Sequence, residues 1–214
     1  MIRHVEVDPL WLPRCRGELG AFHEILADEG IKRGLIGPRE LPRLWPRHLE
    51  NCAAVADPSI TLVPRAAQVV DIGSGAGLPG VVWALVRPDL LITLVEPLSR
   101  RTAFLQETVD NLGIADRVTV IRGRGQEVAP VQADVVTSRA VASLSTLLDL
   151  SQRHVRPGGR VLAIKGGRAT AELAECHDTI VATRGVAEVV TIGPVGADDH
   201  PLATVIAINY KETP

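Results

Sequence analysis

Cysteine is scarce in this chain. Only Cys15, Cys52 and Cys176 occur, in no CxxC or zinc-ligand spacing. Scattered thiols exclude a disulfide framework and a cysteine-built metal site; they indicate a reducing compartment, so the expected location is the cytoplasm. Aromatic residues make up 3%, too few for an extensive base-stacking platform. No uncharged apolar run reaches the ~18 residues that a membrane span requires. The opening MIRHVEVDPLWLPRCRG has no apolar stretch of signal-peptide length. Charge of one sign is also lacking: the net charge is −2, so bulk charge draws in neither nucleic acid nor membrane. What is present suits one globular domain of ~100–200 residues with a modest extension. The chain has 214 residues, 46% of them hydrophobic and 22% charged, enough apolar surface for a real core.

Local charge is less even. From Arg139 to Arg168 the cations Arg139, Arg153, Arg156, Arg160, Lys165 and Arg168 face Asp149 alone. A basic segment inside a neutral chain hints at a phosphate-facing edge, although solvated surface arginines explain it equally well. The first sixty-odd residues read as helices. Leu19, Phe22, Ile25 and Leu26 recur at helical spacing, as do Leu41, Leu44, Trp45, His48, Leu49 and Cys52 after the turn 34–38. From Gln68 the period changes. Strands are expected at 68–72, 91–95, 118–121, 133–137 and 159–164, with a final pair at 186–192 and 203–208. Helices are expected at 78–86, 99–112 (Ser99 as N-cap, Gly113 closing it) and 144–154. This alternation implies an α/β fold with a doubly wound, mostly parallel sheet. A helical extension, 1–57, would precede a main domain at 58–214. Ligands of such sheets bind at the carboxyl ends of the strands.

The strongest motif lies at one such end: Val69-Val70-Asp71-Ile72-Gly73-Ser74-Gly75-Ala76-Gly77-Leu78-Pro79-Gly80. Glycines let the backbone turn sharply and let a ligand approach without a Cβ in the way. A phosphate-binding P-loop needs Lys-Ser or Lys-Thr after Gly80, but Val81-Val82 stands there. Gly75, Gly77 and Gly80 match a dinucleotide fingerprint, a weak signal alone. Asp71, two residues before the first glycine, would repel a diphosphate and attract a cationic amino group such as that of S-adenosylmethionine. Glu96, ending the next strand, can accept the ribose hydroxyls of either cofactor. Asp71 therefore favours the methyl donor over NAD.

Asp71-Ile72-Gly73-Ser74-Gly75-Ala76-Gly77 resembles motif I of class I S-adenosylmethionine-dependent methyltransferases. With Gly75-Ala76-Gly77-Leu78-Pro79-Gly80, Ser138-Arg139-Ala140, Lys165-Gly166 and Arg47-His48-Leu49, nearly the whole chain is similar to a narrower family. These are the small-subunit ribosomal RNA guanine-N7 methyltransferases, also called glucose-inhibited division protein B. Two stretches depart from the family pattern. Gly34-Leu35-Ile36-Gly37 stands for its usual Asn-Leu-Thr, and 197–201 lacks an arginine it often carries. The resemblance implies a class I methyltransferase fold and S-adenosylmethionine as cofactor. Gly73, Gly75, Gly77 and Leu78 would line its methionine and ribose side, Glu96 would hold the ribose, and Gly125-Gln126 would read the adenine. Arg139 would meet the cofactor carboxylate or the incoming nucleotide; a salt bridge to Asp71 or Glu96 is the plainer alternative. Arg47, His48, Ser138, Arg139, Lys165 and Arg168 are the candidate RNA contacts, although His48 also suits a core position among Leu44, Trp45 and Cys52, and His200 is a weaker candidate.

The resemblance further implies 16S ribosomal RNA, or the small subunit, as partner, and the guanine conventionally numbered 527 as target. Loss of the activity would then confer low-level resistance to streptomycin-type aminoglycosides. The residues are compatible with that acceptor. The strand at 133–137 runs into Ser138-Arg139-Ala140, not into the Asn-Pro-Pro-Tyr that grips an exocyclic amine, and no cysteine stands beside it. Guanine N7 carries no proton, so its methylation needs no general base, only placement and exclusion of water. No metal is expected, nor an obligate protein partner, so a monomer is the working expectation. The rival readings are a methyltransferase for another RNA, a protein or a small molecule, an NAD-dependent oxidoreductase, and a cofactor-sensing RNA-binding protein without turnover.

Overall fold

The computed structural model describes residues 2–139, 143–193 and 201–212. The chain opens with a strand, β1 (Ile2–Glu6), and a helix, α1 (Trp11–Ile25), that runs on through a π-helical turn at Leu26–Gly30. A 3₁₀ segment at Pro38–Arg43 and a π-helical turn at Leu44–Leu49 lead into α2 (Glu50–Val55). There follow β2 (Gln68–Ile72), α3 (Gly80–Val86), β3 (Leu91–Glu96), α4 (Ser99–Asn111) and β4 (Val118–Arg122). β5 (Ala133–Arg139), α5 (Leu144–Ser151), β6 (Val155–Lys165), α6 (Ala169–Glu175), α7 (His177–Ala182), β7 (Gly185–Gly193) and β8 (Ala203–Tyr210) complete it.

The eight strands form one sheet in the order β1-β7-β8-β6-β5-β2-β3-β4. Only β8 runs antiparallel to its neighbours, β6 and β7, so the sheet is mostly parallel with helices on its faces. β2 pairs with β3 on one side and β5 on the other, and strand order reverses there. The crevice at this reversal lies between the end of β2 and the end of β5.

The expectation that the first sixty residues are all helical is corrected by β1. It pairs in parallel with β7 along Ile2–Glu6, at the sheet edge. Its burial alternates between exposed and intermediate, so no strong hydrophobic period marks it. It is held instead by the ladder and by cross-strand pairs: Arg3 donates twice to Glu188, at 3.0 and 2.8 Å, and His4 Nδ1 lies 3.1 Å from Thr191 Oγ1. Ser99 is likewise not an N-cap. The cap position belongs to Leu98, whose N–H is taken by Glu96 Oε1 at 3.0 Å.

The extension shares its core with the sheet. Trp11, Cys15, Leu19 and Phe22 form one buried stripe of α1 and belong to the same cluster as Val81, Trp83 and Leu94. Burying a side chain such as Phe22 contributes about 2–3 kcal/mol. The last carbonyls of α2 take side-chain donors from both sides. Trp11 Nε1 donates to Ala53 O at 2.8 Å and Trp83 Nε1 to Cys52 O at 2.9 Å. Arg87, 3% exposed, adds a bond to Ala56 O. Trp11 thus ties α1 to α2, and Trp83 and Arg87 fasten the extension to α3. Among the described residues no helix is long and apolar enough to cross a membrane.

Candidate functional site

The glycine segment forms the turn between β2 and α3, at the sheet's reversal point. Gly73, Gly75 and Gly77 all take positive φ, 71°, 57° and 90°. At Gly77 a Cβ would lie 2.6 Å from Val81 Cγ2 and 3.2 Å from Phe22 Cζ. Only glycine fits that angle and that space. The turn is tied to β3 through Gly73 N–H and Ser74 N–H, both on Val95 O.

Two carboxylates sit beneath it. Asp71 is fully buried, not placed at the open lip of the loop. Its Oδ2 accepts the Gly80 N–H at 3.0 Å, which holds the start of α3, while Oδ1 is buried without a hydrogen-bond partner. Burial pushes the Asp71 carboxyl up to about 7. Gly80 N–H and Ser74 act against that rise, and the nearby Glu96 adds to it. Glu96 is 1% exposed. Its Oε2 accepts Gly75 N–H at 2.9 Å and its Oε1 accepts Leu98 N–H. Each oxygen keeps a second lone pair, but the glycine turn is folded down over them. A ribose reaching Glu96 has to share with Gly75 N–H or displace it.

Beside this turn a cavity of about 310 Å³ is lined by Ile72, Val95, Pro97, Gly125, Gln126 and Leu150, among others. It is mainly apolar, with backbone polar groups at one edge, which suits a flat heteroaromatic ring. The 125–126 segment is held from behind. His154, fully buried, lies with Nε2 2.6 Å from Gly125 O; a carbonyl only accepts, so Nε2 carries the proton. Arg153 donates to Gln126 O. In the sequence His154 carries no signal, and Arg153 is only one cation of the basic 139–168 segment. Their role depends on a contact 27 and 29 positions away. The apolar cavity, the glycine turn and the unpartnered Asp71 oxygen together fit an adenosine carrying a cationic amino-acid tail. Leu78, 7% exposed, packs in the core at the turn.

The end of β5 lies beside that of β2, on the side away from β3. Ser138 is buried, and its Oγ donates to Ile72 O at 2.9 Å. That hydroxyl fastens β5 to β2; it is not presented to a ligand. Arg139 pairs with neither Asp71 nor Glu96. Its Nη2 donates to Arg47 O at 2.9 Å and lies 3.0 Å from His48 Nδ1. His48 Nε2 in turn lies 2.9 Å from Glu40 Oε2. Burial lowers the His48 pKa, Glu40 raises it, and Arg139 and Arg47 lower it further. Among the residues expected at the site, Arg47, His48 and Arg139 therefore come together. Glu40 joins them, a residue that in sequence is one more acid in a balanced stretch.

Lys165 lies near the same rim but is largely covered, in a 2.9 Å ion pair with Glu172. A groove of about 530 Å³ is lined by Arg43, Arg47, Asn51, Lys165, Leu202 and Thr204, among others. Arg168 is apart from it, exposed and 3.6 Å from Glu175. Ala140 and His200 lie outside the described residues. Among the described residues no three His, Cys, Asp or Glu side chains are grouped to hold a metal.

Known proteins place this arrangement. Solved structures that match do so at low identity and show the fold. A predicted O-methyltransferase from Agrobacterium tumefaciens superposes with a TM-score of 0.58 at 19% identity, covering 78% of this chain and 84% of that one. A Methanococcus maripaludis protein provisionally described as an S-adenosyl-L-methionine-dependent methyltransferase gives 0.57 at 15%, covering 94% of each. The sheet is thus that of class I methyltransferases. Sequence relatives are nearer. The ribosomal RNA small subunit methyltransferase G of Thermobifida fusca is 51% identical over 189 residues, 87% of this chain and 77% of that protein. Its namesake in Streptomyces coelicolor is 50% identical over 198 residues, 90% of this chain and 79% of that protein. The family model described as rRNA small subunit methyltransferase G matches residues 16–196, and the chain belongs to that family of ribosomal RNA methyltransferases.

Proposed function

We propose that this protein transfers a methyl group from S-adenosylmethionine to N7 of a guanine in 16S ribosomal RNA, the one conventionally numbered 527. It would act as a monomer in the cytoplasm, with the free or assembling small subunit as its partner. The observation that carries the reading is the site at the sheet's reversal point. A glycine turn lies over two buried carboxylates, beside an apolar cavity, and faces a rim that carries Arg139.

The cofactor would supply an electrophilic methyl group on a sulfonium. Gly73, Gly75, Gly77 and Leu78 would line its methionine and ribose side. Glu96 would take the ribose hydroxyls, with Gly75 N–H giving way or sharing. Gly125 and Gln126, braced by His154 and Arg153, would meet the adenine edge. Asp71 lies under the turn with one free oxygen and favours a cationic group above it.

The acceptor chemistry asks little of the protein. Guanine N7 is an unprotonated lone pair in the ring plane, so no side chain has to remove a proton. Cys52 is near Arg139 but fully buried, and burial pushes its thiol up to about 12; it is no nucleophile at neutral pH. Placement and exclusion of water remain as the catalytic contribution. The purine gains positive charge during transfer. An arginine aimed at N7 would oppose this, so Arg139 is assigned to guanine O6, a phosphate or the cofactor carboxylate. Arg47 stands beside it as a phosphate contact, Lys165 lines the adjoining groove, and Arg168, exposed and apart from that groove, would meet a more distant phosphate.

The test is mass mapping of methylated guanines in 16S RNA from cells with and without the gene, paired with labelled-cofactor transfer to small subunits. The expected result is one guanine that loses its N7 methyl group in the deletion and regains it with the purified protein. Label entering a metabolite or protein but no RNA would overturn the assignment.

A further inference from the structure

Arg139 ends β5, a strand of the sheet, yet both of its hydrogen-bond acceptors come from the N-terminal extension. A guanidinium has five N–H donors and no acceptor. His48 Nδ1, 3.0 Å from Arg139 Nη2, must therefore present its lone pair. The ring proton of neutral His48 then sits on Nε2 and is donated to Glu40 Oε2 at 2.9 Å. The other Glu40 oxygen faces Arg47 Nη1 at 3.5 Å. Arg47 O takes the second bond from Arg139. Each link fixes the next, from a carboxylate in the 3₁₀ segment at Pro38–Arg43 to the guanidinium on the site rim.

We propose that Glu40 and His48 are positioning residues for Arg139: Glu40 selects the His48 tautomer that offers a lone pair to the guanidinium, and this aims the remaining Arg139 donors at an oxygen acceptor on the RNA. The inference rests on the RNA reading given above. It gives a reason for Trp83 and Arg87 to fasten the extension to α3, since the aim of a rim arginine is only as firm as the segment that holds it.

The chain of bonds is sensitive to pH. Protonating His48 places an N–H on Nδ1, opposite a donor that is itself cationic, and the contact is lost. The charged groups facing His48 are Glu40 from the 3₁₀ segment, Arg47 beside it in sequence and Arg139 from β5. Glu40 raises the His48 pKa, so removing its charge keeps His48 neutral to lower pH.

The experiment uses the full-length protein with small-subunit RNA, measuring kcat/KM from pH 5 to 8 for wild type, Glu40→Gln and Glu40→Leu. Nitrogen-15 spectra of the histidine-labelled proteins are recorded alongside. In wild type the Nε2–H tautomer of His48 is expected, with an acid limb in activity that follows its titration. Glu40→Gln keeps an acceptor for Nε2–H without the charge, so its acid limb moves to lower pH. Glu40→Leu removes the acceptor and raises KM for RNA roughly fivefold, as expected for one lost hydrogen bond of about 1 kcal/mol. S-Adenosylmethionine affinity stays unchanged, and glutamine restores most of what leucine loses. A wild type that methylates RNA with the proton on His48 Nδ1, or with an acid limb that Glu40→Gln leaves in place, overturns this inference alone. A wild type that methylates no RNA overturns the assigned function and this inference with it.

Discussion

The Asp71→Asn substitution isolates the cost of the carboxyl buried under the glycine turn. In the folded protein desolvation raises Asp71 to about 7, whereas in the unfolded chain it titrates near 4. Between these values the native state holds a proton that the unfolded state has released. Stability therefore falls as pH rises through this window, the reverse of a salt-bridged aspartate. Roughly three pKa units at about 1.4 kcal/mol each give a ceiling of about 4 kcal/mol, reached near pH 7 and constant above it. Asparagine keeps an oxygen for the Gly80 N–H, an acceptor that Asp71 supplies at 3.0 Å, and does not ionise. Urea unfolding of both proteins from pH 4.5 to 8.5 gives the difference directly, because titrating groups not coupled to Asp71 cancel. The variant should gain on wild type by about 1 kcal/mol per pH unit until neutrality. Parallel stability curves would show that Asp71 is ionised in the native state and refute the argument. Saturating S-adenosylmethionine should flatten the wild-type slope if its amino group pairs with Asp71.

Gly77→Ala forces a Cβ to within 2.6 Å of Val81 Cγ2 at a φ of 90°; strain and overpacking together should cost about 2–5 kcal/mol in chemical denaturation, and an unchanged midpoint would count against the geometry. Gly73→Arg and Gly75→Arg fill the turn and should abolish S-adenosylmethionine binding in equilibrium dialysis; undiminished binding would refute the cofactor site. The Gly75 amide, now on Glu96, should exchange with deuterium at a changed rate when cofactor binds, and an unaltered rate would mean that the ribose does not reach Glu96. All three cysteines are buried, and burial pushes Cys15 and Cys52 up to about 12; a thiol reagent at pH 8 should label them only at the rate of unfolding.

The sequence by itself determined the parts whose signals are local. Alternating apolar strands and helices specified the α/β sheet from β2 to β8, since burial on both faces leaves continuous apolar runs such as Val69-Val70 and Leu94-Val95. The glycine turn was legible because its backbone angles and close packing admit almost no other residue. Glu96 was legible because it ends a strand at the carboxyl edge. What tertiary structure decided is where long-range partners meet. β1 carries little apolar pattern, and its partner lies some 187 positions away. Asp71 reads as an acid at a loop mouth, but packing puts it in the core. Arg139 could have met either carboxylate, and the docked extension instead gives it His48 and Arg47 O. Glu40 and His154 carried no signal at all, because a hydrogen-bonding role depends on which donor or acceptor arrives opposite, and only the folded chain brings those atoms within 3 Å.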